Sequence, residues 1–163
     1  MTEPEIDLNK LVILDNTVLS NFAMVQRTDL VTGIWQNCAT TPDAWNEFMT
    51  GVTLKRIPAR TWKGLHVVEL SPKEIEFQHH LPSLGRGEGT CLAVAYNRKA
   101  ILATDDQKAR RIGLHWGLEI TGTLGFLLFA IRYDHIDLAT ANTLLHKMIT
   151  AGYHSPVEDL GKI

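Results

Sequence analysis

The sequence predicts an α/β fold: three α/β/α layers around a central, mostly parallel five-stranded sheet. Three observations predict it. Apolar runs of strand length alternate with stretches of helical periodicity along the 163 residues, a pattern that implies βαβ units. The strand candidates are apolar almost without interruption, as strands covered on both faces must be. A composition of 45% hydrophobic and 21% charged residues suits one compact domain with a substantial core, and a single domain over 1–163 is expected.

The elements follow in order. "LVILD" (11–15) is the first strand and leads into the helical "TVLSNFAMVQ". "NCATTP" (37–42) is the second, and Pro42 suits the first turn of the helix "DAWNEFMTGV". "LHVVEL" (65–70) precedes "SPKEIEFQHH", and "GEGTCLAVAYNRK" adds a further helix over 87–98. "AILAT" (100–104) runs into "DDQKARRIGL", and "LEIT" (118–121) into "GTLGFLLFAIRYDH". "IDLATANTLLHKMITAG" closes the chain with another helix before a tail. No repeat or low-complexity tract interrupts the series.

In open parallel sheets, ligands sit beyond the carboxyl ends of the strands where the strand order reverses. Asp15 closes the first strand, while Asp105 and Asp106 close the fourth. If those strands are neighbours, the three carboxylates share one edge, and like charges a few ångströms apart repel by several kcal/mol at a protein surface. Each aspartate alone has a simpler reading, as the N-cap of the helix that follows. Glu88 shares a helical stripe with Cys91, Leu92 and Ala95 and is therefore expected on the side facing the sheet. Its simpler reading is an acid at a helix N-terminus. Glu47 lies away from the stripe of Trp45, Phe48, Met49 and Val52, so spacing predicts an exposed glutamate.

Other chemistries find little support. The pair His79 and His80 has no cysteine or carboxylate at metal-ligand spacing, and the expectation is two surface residues. Cys38 and Cys91 lie in apolar stretches, which disfavours a thiol nucleophile and suggests reduced thiols in a cytoplasmic protein. "LDNTV" lacks the second acid of an aspartyl-phosphate phosphatase, and "LGRGEG" lacks the Lys-Ser/Thr ending of a P-loop. The N-terminus lacks the pattern of a signal peptide, and "LGFLLFAI" is far shorter than the roughly 20 residues that span a bilayer. No membrane association is expected.

Four stretches together carry a resemblance: "LVILDNTVLSNFA", "TPDAWNEF", "LGRGEGTCLAVA" and "ILATDDQKARRIGLHWGLEITGTLGFLLFAI". In that order, over nearly the whole chain, they resemble the PIN domain, especially the members related to the VapC toxins. The resemblance implies a metal-dependent nuclease acting mostly on RNA, with the first and fourth strands side by side. It implies four acids in order, Asp15, Glu47, Glu88 and Asp106, with Asp105 adjacent and Thr17 and Thr104 lining the site. Asp15, Glu88 and Asp106 are then the direct ligands of Mg²⁺ or Mn²⁺, and Glu47 and Asp105 are further ligands or anchors for metal-bound water. Such oxygen-only sets favour these hard cations over zinc. The products implied are a 5′-phosphate and a 3′-hydroxyl.

The charge distribution is compatible with an RNA partner. Removing the five site acids from the formal charge of −2 leaves +3 on the rest of the chain. Arg86, Lys108, Arg110 and Arg111 lie close in sequence to the acids and are candidate phosphate contacts. Lys55, Arg56, Arg60 and Lys63 form a second basic cluster around Trp62, a residue better read as packed than as a base-stacking platform. The family likeness extends to an antitoxin protein as partner. The apolar surplus of the two C-terminal helices predicts a homodimer.

Overall fold

The computed structural model describes residues 6–58, 62–81 and 84–163. Its centre is a five-stranded sheet built from β1 (Val12–Leu14), β2 (Cys38–Thr40), β3 (Leu65–Val67), β4 (Ile101–Ala103) and β5 (Ile120–Thr121). The order across the sheet is β3-β2-β1-β4-β5, and every pairing is parallel, so the expectation of a mostly parallel sheet is met by one that is wholly so. All five strands fall inside the runs that the sequence marks. The order reverses between β1 and β4, which pair with Val12 opposite Ile101 and Leu14 opposite Ala103.

Among the described residues eight α-helices surround the sheet: α1 (Asn16–Met24), α2 (Asp29–Thr32), α3 (Pro42–Thr53), α4 (Pro72–His79), α5 (Arg86–Arg98), α6 (Gln107–His115), α7 (Thr123–Arg132) and α8 (Leu138–Thr150). Their starts follow the local chemistry. Thr41 caps α3 ahead of Pro42, and Ser71 with Glu74 forms a reciprocal capping box ahead of α4. The tail ends in a 3-10 turn, Leu160–Lys162.

Side-chain alternation along each strand divides the core. Val12 and Leu14 join Ile101 and Ala103 in one cluster under α1, α7 and α8, while Ile13 and Leu102 join Leu92 and Ala95 in a second cluster under α5. Phe22, Trp35 and Phe126 pack edge to face in the first cluster, with centroids 5.9 and 6.1 Å apart. β1, β2 and β4 are wholly buried, whereas His66 and Val67 of β3 are exposed, because β3 is an edge strand. Much of the apolar surplus of α7 and α8 is absorbed here: Phe126, Leu127, Leu144 and Leu145 are all in the core, leaving Tyr133 and Leu138 exposed.

Because every strand runs the same way, all carboxyl ends share one edge. Helix α5 leads into β4 and therefore runs antiparallel to it, which brings its first turn to that same edge.

Candidate active site

The edge where β1 and β4 end is held together by Thr104. Its hydroxyl donates to Asp15 Oδ2 at 2.9 Å and accepts from the Asp106 amide at 3.2 Å, so one buried side chain joins the two strand ends. Asp15 also accepts from the Asn16 amide at 2.7 Å as the N-cap of α1, and it is 1% exposed. Burial, then the charges of Glu88 and Glu47, raise its carboxyl from 3.8 to about 7, against the lowering effect of its two hydrogen bonds. The first acid is thus both a cap and a strongly perturbed carboxyl.

Glu88 lies half-buried in the first turn of α5, while Cys91, Leu92 and Ala95 below it on the same stripe are fully buried. Glu47 is exposed, as its spacing predicts, yet its carboxylate reaches α5 and accepts from the Gly87 amide at 3.1 Å. Burial and the charge of Glu88 raise Glu47 as well. Three elements thus bring carboxylates within electrostatic reach of one another: Glu88 and Glu47 both raise Asp15, and Glu88 raises Glu47. The glycines around Glu88 explain how they approach: a Cβ on Gly87 would stand 2.7 Å from both Glu47 oxygens, and one on Gly85 would run into Glu88. Beneath them the hydroxyls of Thr41 and Thr90 share a hydrogen bond of 2.7 Å. Cys91 is fully buried there, and burial raises its thiol far above the usual range, which removes it as a nucleophile.

The paired aspartates diverge. Asp106 Oδ1 accepts from the Ala109 amide at 2.8 Å as the N-cap of α6. Asp105 turns toward α7: Oδ1 accepts from the Thr123 amide at 2.9 Å, and Oδ2 accepts from the Thr123 hydroxyl at 2.6 Å and from Asn21 Nδ2 at 3.4 Å. Burial raises its carboxyl, and the bonds from Thr123, the charge of Arg110 and a further hydrogen bond from Thr17 pull it back. The capping reading of the sequence thus describes Asp15 and Asp106, and Asp105 serves as an acceptor between helices.

A cleft of about 680 Å³ opens along this edge, with Thr17, Arg56, Glu88, Asp105, Asp106 and Arg111 in its wall. Lys108 lines it too. Of the other predicted phosphate contacts, Arg86 is exposed and stands 3.6 Å from Asp43, and Arg110 donates from one guanidinium nitrogen to the carbonyls of Thr104 and Thr121 at 2.8 and 3.1 Å. Arg110 therefore fastens the ends of β4 and β5. In the second basic cluster Lys55 and Lys63 are exposed, Trp62 is packed in the core at 7% exposure, and Arg60 lies outside the described residues. His79 and His80 are exposed, as expected.

Among the described residues no three His, Cys, Asp or Glu side chains converge tightly enough to hold a metal ion by themselves. The donor chemistry nonetheless fits a hard divalent cation, because the two neighbours that most raise Asp15 after burial are carboxylates. Asn21 and Thr123 are site residues outside the predicted set. Asn21 donates to Thr123 Oγ1 at 3.0 Å, and both lie within stretches that carry the resemblance, "LVILDNTVLSNFA" and the "GTLG" of the last one, although neither is an acid at a strand end.

No helix among the described residues is long and apolar enough to cross a membrane. No curated protein matches the chain significantly. A family model described as "DUF3368: PIN domain" matches residues 11–163, which take in all five strands and each of the acids above. With an all-parallel α/β/α fold that sets β1 beside β4, and with a nuclease-type fold thereby established, the chain belongs to the PIN domain family.

Proposed function

We propose that this protein is a Mg²⁺- or Mn²⁺-dependent endoribonuclease that hydrolyses phosphodiester bonds of single-stranded or structured RNA. The observation that supports this most is the raised carboxyl of Asp15 at the strand-order switch, where the charges of Glu88 and Glu47 add to the effect of burial. Such crowding costs the folded protein stability, and a divalent cation would relieve it. Asp15, Glu88 and Asp106 would hold the ion, with Glu47 and Asp105 as further ligands or anchors for its water. When bound, the ion supplies Lewis acidity toward the phosphate and lowers the pKa of an attacking water.

The chain's own groups supply placement. Thr104 fixes Asp15 against the end of β4, and the Gly87 amide orients Glu47. Lys108 and Arg111, on the wall of the same cleft, are positioned to hold phosphates of a strand crossing it, with Arg56 on the facing loop. Purified protein should cleave single-stranded RNA with Mn²⁺ or Mg²⁺ and lose cleavage in EDTA. Asp15→Asn and Glu88→Gln should lose cleavage while remaining folded. Equal cleavage by wild type and both variants would trace the activity to a contaminant and sink the proposal.

A second reading, a non-catalytic module that binds RNA or a protein partner, is favoured by one observation. Both oxygens of Asp105 and one of Asp106 already accept hydrogen bonds from the protein. Binding of RNA without turnover at any divalent metal concentration would select it. Within the nuclease reading we place the chain as the toxin of a toxin–antitoxin pair in the cytoplasm, forming a homodimer through α7 and α8. Growth arrest on expression, relieved by Asp15→Asn, tests the first part, and light scattering at micromolar concentration tests the dimer.

A further inference from the structure

At the opposite edge of the sheet, where the strands begin, a second cavity of about 500 Å³ lies between α4, which contributes Lys73 and Phe77, the C-terminal ends of α5 and α6, and the segments that enter β1, β4 and β5. Its volume is that of a small-molecule site. Phe77, Tyr96 and Trp116 form one wall, with ring centroids 5.1 to 5.3 Å apart and the Phe77 and Tyr96 rings within 13° of parallel. Aromatic residues brought together only to fill a core would be covered. Tyr96 is instead 46% exposed, so an aromatic surface faces the cavity.

The rim is basic. Lys10, Lys73 and Lys99 line it against a single acid, Glu119, which pairs with Lys10. Among the described residues neither Lys73 nor Lys99 has an ion-pair partner, and both are exposed. A simpler account makes these lysines counter-charges to the carbonyl ends of α5 and α6, each worth about half a negative charge. Three lysines less one glutamate exceed that by about one positive charge, so the rim keeps a net attraction for anions.

Exposed aromatic surface beside a cationic rim is complementary to a planar ring bearing a phosphate. We infer that this cavity binds a nucleoside monophosphate unit, either free or as one residue of a single strand, at a site separate from the acidic edge. Neither the metal nor the acids take part, so the inference stands or falls independently of the nuclease reading.

The test uses the full chain, ¹⁵N-labelled, in EDTA and low salt. Titration with adenosine 5′-monophosphate should move the Trp116 indole and the amides around Tyr96 and Asn97 in a saturable manner, leaving those around Glu88 in place. The double variant Lys73→Gln/Lys99→Gln should weaken binding by roughly tenfold, because two phosphate-facing charges are lost, and its affinity should respond less to salt. Tyr96→Ala should weaken binding without changing that salt response. A single-stranded oligonucleotide that binds the same residues more tightly identifies the strand as the source, and equal affinities identify the free nucleotide. No shift at millimolar nucleotide overturns the inference, as do equal shifts with inorganic phosphate alone or shifts produced only by an acidic peptide.

Discussion

Glu47 accepts a hydrogen bond from the Gly87 amide at 3.1 Å, and the absence of a side chain at position 87 is what lets its carboxylate lie over the first turn of α5. Glu47 is the far end of an exposed, flexible side chain, so a methyl group at position 87 would displace it with little cost to the fold. Gly87→Ala should leave the thermal midpoint unchanged or raise it slightly, since alanine favours a helix over glycine by up to about 1 kcal/mol. Metal-dependent cleavage should nonetheless fall by about tenfold or more if Glu47 must stay beside Glu88. A loss of activity that tracks a loss of fold would show that the glycine serves packing alone.

Asp15 sets the alkaline limb of stability. Its folded-state carboxyl titrates at about 7, against 3.8 for an ordinary aspartate, so the folded protein holds that proton more tightly than the unfolded chain does. The associated stability is fully present below about pH 4 and is lost as pH rises through about 7. In EDTA, Asp15→Asn should therefore melt higher than wild type at pH 8, by an amount on the order of 1 to 4 kcal/mol, and should lose that advantage near pH 4. Added Mn²⁺ should stabilise wild type more than the variant, because only a bound ion adds RT ln(1 + [L]/Kd). Thermal melts in both buffers across this range check it.

Glu74 sets the acidic limb, with the opposite sign. Its inaccessible carboxylate accepts from Arg98, Asn97 and the Ser71 amide, and these bonds outweigh burial to hold it down at about 2. The stability it contributes is present above about 4.5 and is lost as pH falls toward about 2. Glu74→Gln breaks the charge pairing with Arg98, a partly exposed partner, and should cost roughly 1 to 3 kcal/mol at pH 7. The loss should shrink in acid, as chemical denaturation at pH 7 and pH 3 would show.

The two adjacent aspartates should differ in what the loss of the carboxylate costs. Asparagine caps a helix about as well as aspartate, so Asp106→Asn should alter stability by less than about 0.5 kcal/mol. Asp105→Ala leaves the buried Thr123 amide and hydroxyl without their acceptor and should cost about 1 to 3 kcal/mol. Loosened exchange protection at the start of α7, measured by hydrogen exchange, would accompany it. Equal effects of the two substitutions would contradict the division of labour described above.

Much of this architecture was legible in the sequence, for physical reasons that also mark where reading stops. Strands covered on both faces must be apolar throughout, and β1, β2 and β4 are buried at every position, which is why their runs stood out. Thr41-Pro42 and Ser71-Pro72 announce helix starts because capping is local chemistry. Helix α2 has only four residues, too few for a period to show. At the site, Asp15 and Glu88 were visible from strand ends and helical spacing. Glu47 was not, since its exposed position is real and its reach toward Gly87 depends on how α3 meets α5. The turn of Asp105 toward Asn21 and Thr123 joins residues 84 and 18 positions away, and no local pattern encodes it.

The pairing of β1 with β4 has a consequence for assembly in time. Thr104 and Asp15 are 89 positions apart, and β4 is the partner that completes β1. Until the chain has been synthesised past β4, the first strand can pair only with β2, and its other edge stays open, where pairing so distant in sequence is intrinsically slow. Synthesis proceeds at about 5 to 20 residues per second, so that edge waits several seconds for its partner. Asp15 and Asp106 do not share an edge during that interval. Chemistry that depends on both acids therefore begins only after most of the polypeptide has left the ribosome.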